Sequence, residues 1–161
     1  MIAGITGHQN LGDENTISWI NDCLTQEIQN YKISKGITSL ALGADQLFAQ
    51  ILTKLNIPYI AVVPCDKYEL TFEHKSMQEN YFAYLSKAEE IIRLKFSIPG
   101  EIAFYEAGKY VVDHADILMA IWNGKAARGL GGTGDEVKYG KIRKKKIIHI
   151  NPNNRKVRIL I

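Results

Sequence analysis

The residues best placed to do chemistry lie between Trp122 and Lys138, WNGKAARGLGGTGDEVK, where a cluster of glycines is flanked by two cations and followed by a carboxylate. Gly129, Gly131, Gly132 and Gly134 let the backbone approach a ligand closely and reach dihedrals closed to other residues, and Thr133 is expected to cap the helix that follows. The first N–H groups of that helix have no internal partner, and together with the helix dipole they favour a phosphate. Lys125 and Arg128 add positive charge beside the loop, Arg128 with a planar fork suited to phosphate. Glu136, one turn into the helix, complements the dipole as a plain structural residue. Beside a phosphate it would be repelled unless it holds a ribose hydroxyl or takes part in catalysis.

Other candidates come from the ends of the remaining apolar runs. Gly7 and His8 close the first run, and His8 is a candidate partner for a phosphate or a base, with a plain turn residue as the alternative. Gly43, Ala44 and Asp45 open a helix, where Asp45 serves either as an N-terminal cap or as a ligand for ribose hydroxyls. Gly100 lies before another helix, and Trp122 ends the run that enters the glycine loop. Tyr68, Phe72, Tyr81 and Tyr84 read chiefly as core, with stacking on a base as the alternative. Asp113, His114 and Asp116 resemble metal ligands in print, but their spacing before an apolar run marks a helix end and turn, so no metal is expected, nor a cofactor.

These residues need a scaffold that gathers strand exits at one edge. Ile2 to Thr6, Thr38 to Leu42, Tyr59 to Val63, Glu90 to Leu94, Ile117 to Trp122 and Ile147 to Ile150 read as six short strands. Helical patterns fall at Glu14 to Tyr31, Asp45 to Lys54, Lys75 to Lys87, Glu101 to His114 and Thr133 to Lys144. Alternation of this kind predicts an α/β fold: a Rossmann-like, doubly wound, mostly parallel sheet of about six strands with helices on both faces. Ligands of such sheets bind outside the carboxyl ends of the strands. The first, second, fourth and fifth exits all carry glycine or small residues, which predicts a nucleotide-type site there.

Composition narrows the class. With 161 residues, 46% hydrophobic and 23% charged, the chain reads as one globular domain able to bury its own core. No run approaches the roughly 18 apolar residues of a membrane span, and Met1 leads straight into a strand, so a cytoplasmic protein with no membrane partner is expected. Cys23 and Cys65 suggest neither a disulfide framework nor a zinc site. The net charge of +3 divides unevenly: residues 1–140 hold 12 Lys and Arg against 17 Asp and Glu, whereas residues 141–161 hold 8 and none. Lys141 and Arg143 to Lys146 therefore read as a solvated helix end that complements the dipole, or as a patch for nucleic acid or another anionic partner.

The pieces GITGH at 4–8, LGADQLFAQ at 42–50 and VVDHADILMAIWNGKAARGLGGTGDEVKYG at 111–140, in that order, resemble the SLOG superfamily of Rossmann-like proteins, which includes the LOG phosphoribohydrolases, DprA and YpsA-like proteins. The resemblance implies a nucleotide-derived ligand held by Gly7, Gly131, Gly132 and Thr133, with ribose near Asp45 or Glu136, and a possible homodimer. Enzymatic members carry the motif PGGxGTxxE, and Arg128 to Glu136 aligns with it, keeping Gly129, Gly132, Thr133 and Glu136 but lacking the proline and the second glycine. Glu136 thereby falls on the position associated with N-glycosidic cleavage. The arginine that those enzymes use has no counterpart between Ala103 and Tyr110, which leaves Lys109 or Arg128 as substitutes. A binding or sensing role is thus the leading expectation, with a nucleotide N-glycosidase and a DNA-associated protein as alternatives.

Overall fold

The computed structural model describes residues 1–161. In chain order the elements are β1 (Ile2–Gly7), α1 (Glu14–Asn30), β2 (Lys35–Thr38), α2 (Ala44–Lys54) and β3 (Tyr59–Val63), then a 3-10 turn (Tyr68–Thr71), α3 (Lys75–Ser86) and β4 (Glu90–Arg93). They continue through α4 (Glu101–His114), β5 (Ile117–Ile121), α5 (Thr133–Ile142), β6 (Lys146–Asn151) and β7 (Lys156–Leu160).

Seven strands form one sheet in the order β4-β3-β2-β1-β5-β6-β7, parallel except for β7. The chain lays β2, β3 and β4 to one side of β1, then crosses back through α4 to place β5 on the other side. Because such crossovers are right-handed, reversing direction moves the helices to the opposite face. Accordingly α1, α2 and α3 contribute Ile20, Phe48 and Tyr81 to the large core cluster, while Val111 of α4 and Val137 of α5 lie in two smaller clusters. The strands show the matching period of two: Ile117, Met119 and Ile121 of β5 join the large cluster, whereas Leu118 and Ala120 join a smaller one.

Two elements depart from the sequence expectation. The second strand is Lys35–Thr38, not Thr38 to Leu42. Leu40 is buried but takes a left-handed φ of 57°, so the apolar run is a loop folded into the core. The Asp45 carboxylate pins it, since Oδ2 accepts hydrogen bonds from the Thr38 hydroxyl and the Ser39 N–H, each at 2.9 Å. The seventh strand, β7, extends the sheet beyond the six expected, pairing with β6 from Ile147↔Leu160 to Asn151↔Lys156. Its cues were the Asn-Pro-Asn-Asn turn and the short alternation that follows.

Candidate ligand-binding cleft

β1 and β5 are neighbours whose following helices lie on opposite faces of the sheet, so their exit loops part and leave a crevice at the strands' carboxyl ends. A cleft of about 1320 Å³ occupies it, with His8 to Gly12 on one side and Lys125 to Arg128 with Gly131 to Gly134 on the other.

The β1–α1 loop is built on short-range hydrogen bonds. Asn10 Oδ1 accepts from the Gly12 N–H at 2.9 Å, Gly12 takes φ 96°, and Asp13 caps α1 by accepting from the Thr16 N–H at 2.8 Å. His8 ties this loop to the next: its Nε2 accepts from the Asn123 N–H at 3.1 Å.

In the β5–α5 loop, Trp122 acts as a staple. Its indole N–H donates to the Lys125 carbonyl at 2.7 Å, while its own carbonyl meets His149 Nε2 at 2.8 Å. Gly131 has φ 83° and donates its N–H to Asp135 Oδ2 at 3.2 Å. Gly132, not Thr133, is the N-cap of α5, and Thr133 is the first helical residue, with no side-chain capping bond at this end. Gly134 admits the loop itself, for a Cβ there would lie 2.8 Å from the Ala127 nitrogen. The first turn of α5 thus opens on the cleft beneath Lys125 to Arg128.

The floor is acidic. Glu136 and Asp45 both line the cleft. Burial pushes the Glu136 carboxyl up to about 8; the Thr6 hydroxyl beside it opposes the shift, and the Asp45 and Asp135 carboxylates add to it. Burial likewise raises Asp45 to about 6, against the hydrogen bonds it accepts from Thr38 and from backbone N–H groups. At neutral pH the floor therefore holds a mostly neutral Glu136 beside a mostly ionised Asp45. Gly108 of α4 makes the room, because a Cβ there would fall on the Glu136 carboxyl group.

Gly7, His8, Asp45, Trp122, Lys125, Arg128, Gly131, Gly132, Thr133 and Glu136 all line the cleft. Gly43, Ala44 and Gly100, also candidates from the sequence, lie outside its lining. Because β2 ends early, Ser39, Ala41 and Leu42 form that part of the wall. Gly43 and Ala44 lie behind the β1–α1 loop instead. A Cβ at Gly43 would strike the His8 and Gln9 carbonyls, and the Ala44 N–H donates to the His8 carbonyl at 3.2 Å. Gly100 is an extended N-cap with open space around it, at the far β4 exit. The third strand's exit contributes in its place through Pro64, Tyr68, Thr71 and Phe72; buried aromatics signal core first, which hid it from sequence reading.

Lys109 lies outside the cleft, paired with Glu106 at 2.5 Å, so it is no substitute for an arginine there. Arg128 is the arginine on the rim. Asp113, His114 and Asp116 are engaged separately. Asp113 accepts from Arg143 at 2.7 Å and from Tyr139, His114 Nδ1 meets the Tyr110 carbonyl at 2.9 Å, and Asp116 accepts from the Ile2 N–H at 2.7 Å. No group of three or more His, Cys, Asp or Glu side chains converges on a common point. No helix is long and apolar enough to cross a membrane.

The basic run sits at the opposite end of the sheet, where α5 finishes and β6 begins. Much of it is bound internally: Lys145 Nζ donates to the carbonyls of Asp113 and Ala115 at 3.1 and 2.7 Å, closing the end of α4. Lys146 Nζ lies 5.2 Å from the Tyr31 ring centre.

No protein-family model and no curated sequence matches the chain. Solved structures do. DNA processing protein A from Helicobacter pylori, described for its single-stranded DNA binding mode, superposes with a TM-score of 0.67 at 13% identity, covering 96% of this chain and 70% of that one. DprA from Streptococcus pneumoniae gives 0.65 at 11% identity over 91% of this chain, which spans 49% of that protein's length. The molybdenum cofactor binding protein from Rippkaea orientalis gives 0.57 at 16% identity, over 96% of this chain and 85% of that one. Shared topology at such low identity identifies the architecture alone, and the chain has the Rossmann-like α/β fold of these proteins.

Proposed function

We propose that the protein binds a nucleotide-derived ligand, a nucleoside phosphate or an ADP-ribose-like molecule, with its phosphate between the β1–α1 loop and the first turn of α5. The observation that carries this reading is the convergence of Gly7, His8, Gly131, Gly132 and Thr133 on one cleft at the sheet's switch point. Free N–H groups at the helix start favour an anion there, and Arg128 and Lys125 stand at the rim. The volume of about 1320 Å³ exceeds the roughly 300–1,000 Å³ of a drug-sized site, enough for a ligand with a distinct phosphate end and base end. The role is binding or sensing, in the cytoplasm.

The test is a thermal shift with nucleoside mono- and diphosphates and ADP-ribose. Ligand at a hundredfold excess over Kd adds about 2.7 kcal/mol, a rise of roughly 5–11 °C for a domain of this size. Thr133→Asp separates binding from folding, because an acid at the first helical position suits the dipole but repels a phosphate. A rise in wild type that vanishes in this variant supports the reading; no rise with any of these ligands rejects it.

One observation favours a second reading, nucleotide N-glycosidase activity: Glu136 lines the cleft with a carboxyl near 8, beside Asp45 near 6, the kind of divergent acid pair found at catalytic sites. A neutral Glu136 suits protonation of a leaving base better than stabilisation of a cationic ribose. Release of free base that is abolished by Glu136→Gln establishes this reading over simple binding. Single-stranded DNA binding, described for the Helicobacter pylori protein, is less favoured here, since the basic run lies away from the cleft and is partly bound within the fold.

A further inference from the structure

We propose that Tyr68 is the specificity-determining residue of the cleft, its hydroxyl hydrogen-bonding the heteroaromatic base of the ligand. The inference rests on the nucleotide reading above and deepens it.

Tyr68 is 6% exposed, yet it lines the cleft. Three rings hold its own: Phe72 and Tyr81 edge-on at 5.4 Å each, and Phe104 at 6.1 Å. The Thr71 hydroxyl, donating to the Tyr68 carbonyl at 2.7 Å, fixes the 3-10 turn that carries it. Tyr59 and Tyr139, by comparison, donate their hydroxyls to the Tyr84 carbonyl and the Asp113 carboxylate. The Tyr68 hydroxyl has no such partner, and no buried side-chain oxygen or nitrogen is left unsatisfied, so this hydroxyl opens on the cleft. A phenylalanine would fill the ring's place without that polar group. Open to the cleft, the hydroxyl is hydrated in the free protein and available to the hydrogen-bonding edge of a ligand that displaces that water.

The surroundings define that partner. After burial itself, the Asp45 carboxylate is the next cause that raises the Tyr68 hydroxyl's pKa, so the charge nearest this end of the cleft is negative and disfavours a phosphate. Phe72 and Phe104 line the cleft beside Tyr68 and present apolar surface to a planar group. A neutral, flat moiety with hydrogen-bonding edges satisfies both conditions. The glycine loops are left to the phosphate, which sets the direction in which the ligand lies.

The experiment is calorimetric titration of wild type and Tyr68→Phe with adenosine and uridine monophosphates and with ribose 5-phosphate, which lacks a base. Tyr68→Phe is expected to weaken binding of at least one nucleotide roughly tenfold and to leave ribose 5-phosphate unchanged. Its melting temperature should match wild type, because the ring packing is retained. Equal nucleotide affinity in the two proteins overturns the proposal, as does an equal loss for nucleotide and ribose 5-phosphate. If wild type binds ribose 5-phosphate but neither nucleotide, the base wall is refuted while the phosphate cradle stands. Failure of wild type to bind any of the three overturns the proposal, and failure of nucleoside diphosphates and ADP-ribose as well refutes the underlying reading with it.

Discussion

Replacing Glu136 with glutamine should remove a pH dependence of stability that the fold imposes. The carboxyl has an ordinary value of 4.5 and is pushed up to about 8 in the folded protein, by burial first and by neighbouring carboxylates next. Between these values the unfolded chain has released this proton and the native protein still holds it. Stability therefore falls as pH rises through that window. From pH 6 to pH 8 the unfolded group is ionised throughout while the native group only begins to ionise, so the loss is about 2 kcal/mol, from roughly 1.4 kcal/mol per pH unit. For a domain of this size that corresponds to roughly 4–8 °C in melting temperature. Asp45, raised only to about 6, adds little above pH 6. The assay compares melting temperatures of wild type and Glu136→Gln at pH 6, 7 and 8, with the histidines and the amino terminus common to both. The gap should widen in the variant's favour as pH rises. Parallel curves would show that Glu136 ionises normally and that the acidic floor has been misjudged.

Gly108→Ala should destabilise the protein by about 1–3 kcal/mol in urea unfolding despite alanine's better helix propensity, since its Cβ falls on the Glu136 carboxyl. The same substitution made in a Glu136→Ala background should be neutral or stabilising, a coupling visible in a double-mutant cycle. Lys145→Met should lose about 1–3 kcal/mol by leaving the carbonyls of Asp113 and Ala115 without a donor, again read by urea unfolding. Asp45→Asn should weaken the loop from Ser39 to Leu42, raising amide hydrogen exchange at Ser39 and Leu40 by roughly tenfold, because a neutral acceptor replaces the charged one that holds Thr38 and Ser39.

The parts of the fold legible in the sequence are those governed by local periodicity. α4 and the apolar strand β5 fall where the hydrophobic pattern places them, because each buries a face whose spacing is set by its own geometry. β2 begins three residues and ends four residues before the expected strand, since the apolar run at Leu40 to Leu42 serves a loop packed inward, and the signal for that, the carboxylate of Asp45, acts through tertiary contact. The cleft was legible at β1 and β5, where Gly7, Gly131 and Gly132 mark the strand exits. At the third strand it was not: Tyr68 and Phe72 pack as core and line the cleft at once, and only the folded arrangement reveals the second use. Thr133 was expected to cap α5, but Gly132 takes that place, shifting the free N–H groups by one residue.

The most direct test of the central claim is a crystal structure of the protein soaked with a nucleoside phosphate that raises its melting temperature. The expected result is density with the phosphate between Gly7 to Gly12 and Gly131 to Thr133, hydrogen-bonded to backbone N–H groups at the start of α5. Density beside Lys141 and Lys144 at the opposite end of the sheet, with the cleft left to water, would contradict it.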